Sequence, residues 1–105
     1  MPSPAIGQID EIIHGRLRLG VMTYLMQSEV ADFNELKAAL DATQGNLSVH
    51  LRKLEDAGYV TIEKSFPDRK PRTRIRISPA GQAAFSRYVE AMAALLGPAP
   101  PGAGG

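Results

Sequence analysis

The sequence predicts a mainly α-helical fold that carries one small antiparallel β-hairpin. Up to residue 58, apolar side chains recur every three or four positions, which is the period of amphipathic helices. Between residues 59 and 77 they alternate with polar side chains, as in strands that bury one face. The helical period then returns over residues 79–96. We therefore expect one domain over residues 1–96, ordered helix, helix, helix, helix, strand, loop, strand, helix.

Two helices are predicted in the first part of the chain. A stripe of isoleucines over residues 6–13 predicts a short helix that ends before Gly15. A second stripe, which includes Leu17, Val21 and Leu25, predicts a longer helix that packs in the core.

Capping residues mark the third and fourth helices. Asp32 and Glu35 have the spacing of a capping box, so we expect the third helix to begin there. Thr43 is a suitable N-cap for the fourth helix, because its hydroxyl can accept hydrogen bonds from the free amides of the first turn. Gly58 is expected to end this helix, since glycine adopts the backbone conformation common at helix C-termini. The short connection between the two helices predicts a helix-turn-helix.

A basic hairpin follows the fourth helix directly. In "YVTIEK" and "RTRIRI" apolar and polar residues alternate, and a loop with two prolines joins the two segments. The hairpin over residues 59–77 makes the predicted fold a winged helix-turn-helix, with this hairpin as the wing. Ser78 and Pro79 then supply an N-cap and a first-turn proline for the C-terminal helix over residues 79–96.

The fourth helix has an apolar face and a polar face. Leu47, Leu51 and Leu54 share the face expected in the core. The other side is polar, small or basic near the N-terminus, which suits a helix inserted end-first into the major groove of DNA. The predicted DNA contacts of this helix are Thr43, Gln44, Gly45, Asn46, Ser48, Val49, His50, Arg52 and Lys53.

Several of these residues have a simpler interpretation. His50 is also explained by packing on a neighbouring helix, and Ser48 by an ordinary surface hydroxyl. Arg52 and Lys53 are also explained as solvated partners of the acidic pair at residues 55–56.

Basic charge is concentrated in the hairpin. The chain has a net charge of +1, but residues 64–76 hold six basic side chains and one acidic side chain, a net charge of +5. This separation indicates a localised anionic partner, although a solvated charged hairpin is the alternative. Three arginines that share one face are expected to follow phosphates or enter a minor groove. The predicted wing contacts are Lys64, Arg69, Lys70, Arg72, Arg74 and Arg76.

Other functional classes find little support in the sequence. There is no cysteine, and the two histidines stand 36 residues apart, so neither a metal site nor any other cofactor is expected. No nucleophile–base set or phosphate-binding glycine loop indicates an enzyme. Without a long apolar run or a secretory signal, we expect a cytoplasmic protein with no membrane contact. Residues 97–105, rich in proline and glycine, are expected to form a disordered tail.

The motifs resemble a known family. "GNLSVHLRKLEDAGYVTIEKSF", "KPRTRIRISPAGQAAF" and "FNELKAAL" are similar to single-domain winged-helix transcriptional regulators of the MarR and ArsR groups. The resemblance implies a cytoplasmic homodimer that binds operator DNA, with Thr43–Ala57 as the recognition helix and Tyr59–Ile77 as the wing. It also implies that the terminal helices are dimerisation elements. A small-molecule effector is compatible with this class, but no motif indicates one.

The apolar stripes at both ends of the chain agree with a homodimer, because one small core is not expected to absorb both. The predicted interface residues are Ile6, Ile9, Ile13, Phe85, Tyr88, Val89, Met92, Leu95 and Leu96. The sequence therefore predicts a homodimeric, sequence-specific regulator, most simply a repressor, that binds double-stranded DNA at a pseudo-palindromic operator. The alternative is a winged-helix module that docks proteins and reads no DNA.

Overall fold

The computed structural model describes residues 4–7 and 9–97, which form five helices and three strands. In chain order these are α1 (Pro4–Gly7), α2 (Arg16–Ser28), β1 (Val30–Asp32), α3 (Phe33–Ala39), α4 (Gln44–Asp56), β2 (Val60–Ser65), β3 (Arg72–Ile77) and α5 (Pro79–Leu96). A 3-10 turn over Pro67–Arg69 lies between β2 and β3. The predicted winged helix-turn-helix is confirmed, with α3 and α4 as the helix-turn-helix and the β2–β3 hairpin as the wing. The tail expected to be disordered lies outside the described residues from position 98 onward.

The sheet is antiparallel and has the strand order β1-β3-β2. The long pair aligns Val60 with Ile77 and Ser65 with Arg72, so the hairpin loop covers residues 66–71. The short strand β1 was not predicted, because three residues are too few for an alternating pattern to be recognised. It pairs Asp32 with Arg74 and thereby brings the start of α3 beside the wing.

The core is one continuous apolar cluster formed by side chains of the helices and of the sheet. The leucine face of α4 is buried as predicted, and it packs with side chains from α2, α3 and the two long strands. The fully buried larger side chains are Ile13, Val21, Met22, Leu25, Leu36, Leu47, Leu51, Leu54, Val60 and Ile75. Because burying one such side chain contributes about 1.5–3 kcal/mol, this cluster fixes the position of α4 against the rest of the domain.

The helix over residues 6–13 was wrong as a continuous element. Among the described residues of this segment, only Pro4–Gly7 are helical. In the turn after position 9, the Asp10 carboxylate accepts hydrogen bonds from the amides of Ile12 and Ile13 at 2.8 and 3.1 Å. A side chain that satisfies nearby amides competes with the helical hydrogen bonds, which explains the interruption. The same carboxylate accepts from the Tyr59 hydroxyl, and this bond raises the pKa of Tyr59 to about 12. The turn is therefore tied to the start of the wing.

The predicted helix boundaries are confirmed where caps defined them. Asp32 and Glu35 form the capping box of α3, and the Ser78 hydroxyl accepts from the amide of Gly81 at 2.9 Å at the start of α5. Gly58 ends α4 with a φ of 81°, the left-handed conformation that favours glycine. The amide of Tyr59 closes this turn on the Leu54 carbonyl at 3.0 Å.

Gly81 generates a prediction about stability. A Cβ at this position would lie 2.1 Å from the Tyr59 carbonyl oxygen, so Gly81→Ala should force the start of α5 away from the wing. We expect the free energy of unfolding to fall by about 3 kcal/mol, measured by urea denaturation. Gly45→Ala is the matched control, because a Cβ there meets nothing within 4 Å and alanine favours helix by up to about 1 kcal/mol. Equal stability of the two variants would contradict the close approach.

Candidate nucleic-acid interface

The polar N-terminal half of α4 lies on the surface. Eight of the nine predicted contacts of this helix are exposed, and none of them is drawn into the core: Thr43, Gln44, Gly45, Asn46, Ser48, Val49, Arg52 and Lys53. Val49 is a large apolar side chain with 56% of its surface exposed, at a position opposite the buried leucines. The helix therefore has one face fixed by the core and the opposite face accessible to a partner.

The first turn of α4 has its cap in place. Thr43 stands at the N-cap, and its hydroxyl accepts from the Asn46 amide at 3.2 Å. The predicted capping role of Thr43 is therefore confirmed. No acidic residue lies in this turn, so its remaining free amides and the positive end of the helix dipole favour an anion.

His50 lies on the flank of α4 that faces α2 and is half-buried. Its Nδ1 atom is 2.8 Å from a guanidinium nitrogen of Arg18, which also donates to the backbone carbonyl of Ile12. Because guanidinium groups only donate hydrogen bonds, Nδ1 must accept, and the ring is neutral with its proton on Nε2. Burial, together with the charges of Arg18 and Lys53, lowers the pKa of His50. The packing role considered for His50 is thus present in the structure.

A groove of about 390 Å³ separates α4 from the wing. Its helix side presents Gln44, Ser48 and Arg52, and its wing side presents Lys64 and Thr73. The lining is mostly polar and includes two cations, with Glu55 as the acidic member. This groove brings residues of the predicted helix set and of the predicted wing set to one concave surface.

The arginines of β3 are engaged by acidic side chains. Arg72 donates to both carboxylate oxygens of Asp32, at 3.1 and 3.3 Å, and Arg74 lies 3.5 Å from the same carboxylate. Arg76 lies 3.8 Å from Glu29 and 3.6 Å from Glu63. The guanidinium groups lower the pKa of Asp32, mainly through the hydrogen bond from Arg72.

The predicted phosphate contacts of these three arginines would therefore require that their ion pairs with carboxylates exchange. The short strand β1 places Asp32 opposite Arg74, and this pairing was invisible in the sequence. The side chains of Arg72 and Asp32 are still 42% and 40% exposed, and ion pairs with this exposure contribute only about 0–1 kcal/mol. The ion pairs neutralise this face of the sheet, but they are exposed enough for another anion to replace the carboxylates.

The remaining wing cations lie at the outer end of the hairpin. Lys64, Arg69 and Lys70 are exposed, and Arg69 and Lys70 belong to the loop beyond the last strand pair. The cationic part of the wing is thus its tip rather than its sheet face.

The predicted interface residues of the terminal elements divide into two groups. Ile13 and Tyr88 are buried within the single chain, and the Tyr88 hydroxyl is 2.8 Å from His14 Nδ1. The structure therefore corrects the assignment of these two residues, because both are buried in the core of the domain and are not accessible to a partner chain. Ile9, Phe85 and Met92 are partly buried against that core, and Leu95 is also partly buried. Ile6, Val89 and Leu96 are exposed by 55%, 50% and 74%.

Sequence reasoning missed two residues of this region. Arg18 joins α2 to His50, and Asp32 joins the start of α3 to the wing, although Asp32 was predicted only as a cap. Both act through contacts between residues 32 and 40 positions apart in the chain. Periodicity reports only local neighbours, so no signal in the sequence marked these pairs.

Fold and site together define a winged-helix transcriptional regulator. The family model described as "Winged helix DNA-binding domain" matches residues 17–96, and the chain belongs to this family. The matched segment runs from α2 to the end of α5 and so includes the helix-turn-helix and the wing.

The chain is also similar to one curated protein and to solved structures of transcriptional regulators. An uncharacterized protein of Methanocaldococcus jannaschii is 37% identical over 79 residues, which cover 75% of this chain and 86% of that protein. The structure of a transcriptional regulator homologue from Pyrococcus horikoshii is 32% identical and has a TM-score of 0.84, covering 90% of this chain and 95% of that chain. A regulator of the MarR family from Enterococcus faecalis is 30% identical with a TM-score of 0.66, covering 88% and 76%. The protein is a transcription regulator of the MarR type, and family and fold point away from an enzyme.

Neither a metal cluster nor a membrane span is found in the described part of the chain. Within residues 4–7 and 9–97, no three His, Cys, Asp or Glu side chains come together in a group that could hold a metal ion. Among the described helices, none combines the length and the apolar character needed to cross a bilayer.

The Asp32 pairing predicts a change in salt dependence. Asp32→Asn keeps a good N-cap for α3 but releases Arg72 and Arg74, so binding to random DNA should strengthen. The slope of log K against log salt concentration should become more negative by about one to two, measured by fluorescence anisotropy. Glu90→Gln, which makes the same charge change on α5, is the control and should leave the slope unchanged. An identical slope for wild type and Asp32→Asn would contradict the prediction that Asp32 limits the phosphate contacts of these arginines.

The His50–Arg18 contact predicts a pH dependence of stability. The histidine of the unfolded chain takes up a proton near its ordinary pKa of 6.5, whereas the folded one takes it up only at lower pH. Folded-state stability should therefore be lost as the pH falls below about 6.5. In His50→Asn, which keeps an acceptor for Arg18, the loss between about pH 7.5 and 5.5 should be smaller in thermal melts. His14→Asn retains His50 and should keep that part of the loss. An unchanged pH profile of His50→Asn would contradict the prediction.

Proposed function

We propose that the protein is a sequence-specific DNA-binding repressor that acts as a homodimer on a pseudo-palindromic operator. The observation that carries the proposal is the exposed, polar N-terminal half of α4 beside a wing with a cationic tip. A helix of this kind can enter a major groove, where amide and guanidinium side chains discriminate base pairs. The same fold is found in the structure of reduced AbfR bound to DNA, which is 23% identical with a TM-score of 0.68. The alignment covers 77% of this chain and 58% of the AbfR chain.

The proposed base contacts are made by the exposed face of α4, opposite its buried leucines. Gln44 and Asn46 lie in its first turn, where side chains of an inserted helix reach furthest into the groove. Arg52, two turns further, is suited to guanine or to a phosphate. Gly45 permits close approach, since no side chain intervenes between the backbone and the partner.

The wing supplies affinity in this proposal. Lys64, Arg69 and Lys70 are exposed and provide the first contacts with phosphates. Arg72 and Arg74 join them by exchanging Asp32 for phosphate oxygens, because their ion pairs are exposed and weak. Such contacts fix the register of the protein on DNA and carry no sequence information directly.

The proposed dimer uses α1 and the outer face of α5. Ile6, Val89 and Leu96 are large apolar side chains that the single chain leaves exposed. Exposed apolar surface of this kind is typical of interaction sites, and a stable dimer buries about 800 Å² on each partner. Two-fold symmetry would place the two α4 helices about 34 Å apart, one turn of DNA. Repression then follows from occupation of the operator.

A protein-docking module is the second candidate, since winged helices need not read DNA. The exposed Val49 in the middle of the proposed DNA face is the observation that favours it. Gel-shift titrations with genomic fragments at two salt concentrations separate the candidates. Binding that weakens steeply with salt supports DNA recognition, and no binding at low salt supports docking.

Specificity and affinity should separate by residue. Asn46→Ala or Gln44→Ala should reduce the preference for operator over random DNA by about tenfold, because each removes a potential base contact. Lys70→Ala should weaken both complexes alike and reduce the salt slope by about one. Competition gel shifts with selected and random DNA measure both quantities. The reverse pattern would mean that the roles of α4 and the wing are exchanged.

The dimer generates a separate prediction. Val89→Glu combined with Leu96→Glu should convert the dimer into monomers, because two charges would be buried in an apolar interface. Multi-angle light scattering at micromolar concentration measures the mass, and thermal melts check that the monomer remains folded. Since both side chains are exposed in the single chain, Val89→Ser with Leu96→Ser is a milder control that should weaken association less. A monomeric wild type would contradict the dimer.

A further inference from the structure

An exposed aromatic ring stands at the tip of the wing. Phe66 follows the last residue of β2 and has 70% of its surface in solvent. It lies outside the core cluster, and neither the fold nor the proposed phosphate contacts of the wing require an aromatic side chain there. A large apolar side chain exposed on a polar loop marks a site of interaction with a partner.

The loop that carries Phe66 has a defined conformation. The amide of Arg69 donates to the Phe66 carbonyl at 3.2 Å, and the amide of Lys70 donates to the Pro67 carbonyl at 3.0 Å. Asp68 and Arg69 have φ values of 52° and 65°, in the left-handed backbone region that residues other than glycine rarely adopt. Two consecutive residues held in this region store strain, and such strain concentrates at functional sites. The ring is therefore presented on a turn whose geometry is fixed without support from the core.

The charges around Phe66 select the kind of partner. Lys64, Arg69 and Lys70 are exposed and lie within four residues of Phe66 in the chain, and Asp68 is the one acidic residue between positions 64 and 70, so this end of the hairpin carries a net positive charge. A partner that is anionic outside and apolar within fits this arrangement, and DNA has phosphates outside and stacked bases inside. Proteins that bind the minor groove often insert apolar side chains between base steps and bend the duplex there.

We infer that Phe66 is a wedge that enters the minor groove beside the site of α4 and bends the DNA. This inference rests on the proposed function, in which α4 lies in the neighbouring major groove and the wing reaches across the intervening backbone. Insertion of the ring partly unstacks one base step, while the cations of the tip hold the flanking phosphates. Pyrimidine–purine steps unstack most easily, so the wedge adds a preference for such a step at the flank of the operator.

The test compares DNA bending by wild type and by two variants. A duplex labelled at both ends reports bending by energy transfer, with either a TA step or an AA step at the predicted wing position. Wild type should bend the duplex by roughly 20° or more and should prefer the TA step. Phe66→Ser should lose the bend and the preference, with an affinity about tenfold lower. Phe66→Leu is the matched control and should retain most of the bend, because leucine also serves as a wedge.

Each outcome separates the inference from the proposed function. Thermal melts should show Phe66→Ser to be as stable as wild type, since the ring lies outside the core. If wild type binds DNA without bending it, or if Phe66→Ser bends it equally, the wedge is overturned while DNA recognition stands. If wild type binds no DNA, the proposed function fails and the wedge fails with it. Phe66-dependent binding to phosphatidylserine vesicles without DNA bending would also overturn it.

Discussion

The burial of three leucines on one face of α4 is the constraint on which the rest of the site depends. Leu47, Leu51 and Leu54 are inaccessible or nearly so, and they pack with α2, α3 and the sheet. Because side chains on a helix have fixed angular positions, this burial forces the opposite face outward. The polar residues of the first two turns thus reach the surface without any dedicated support. The geometry of the proposed recognition surface is a consequence of core packing.

In the wing beside that helix, three arginines are paired with carboxylates of the same chain. The +5 hairpin of the sequence becomes a sheet face on which Asp32, Glu29 and Glu63 meet three arginines, and a tip on which cations remain exposed. A regulator gains from this division, since a fully cationic wing would bind any DNA through its phosphates. In the proposed complex with DNA, partial neutralisation lowers that sequence-independent part of the affinity and leaves a larger share to the proposed base contacts. The exposed ion pairs can still exchange when a phosphate approaches.

Contacts of the N-terminal turn connect the parts of the domain. Asp10 accepts from Tyr59 at the start of the wing, His14 meets Tyr88 on α5, and Arg18 links this turn to His50 on α4. Hydrogen bonds made by residues 10–18 thus link this turn to α5, to α4 and to the start of the wing.

The sequence by itself determined helices α2 to α5, the wing and the exposure of the proposed recognition face. Their signals are local: a leucine period on α4, alternation in the hairpin, and caps at Asp32, Thr43 and Ser78. Only the tertiary structure decided which arginines are neutralised and what His50 contacts, because the partners Asp32 and Arg18 are distant in the chain. It also decided that Ile13 and Tyr88 belong to the core, since a periodic stripe does not tell which neighbour will cover it. Local patterns specify elements, whereas pairings between distant residues arise only when those elements pack.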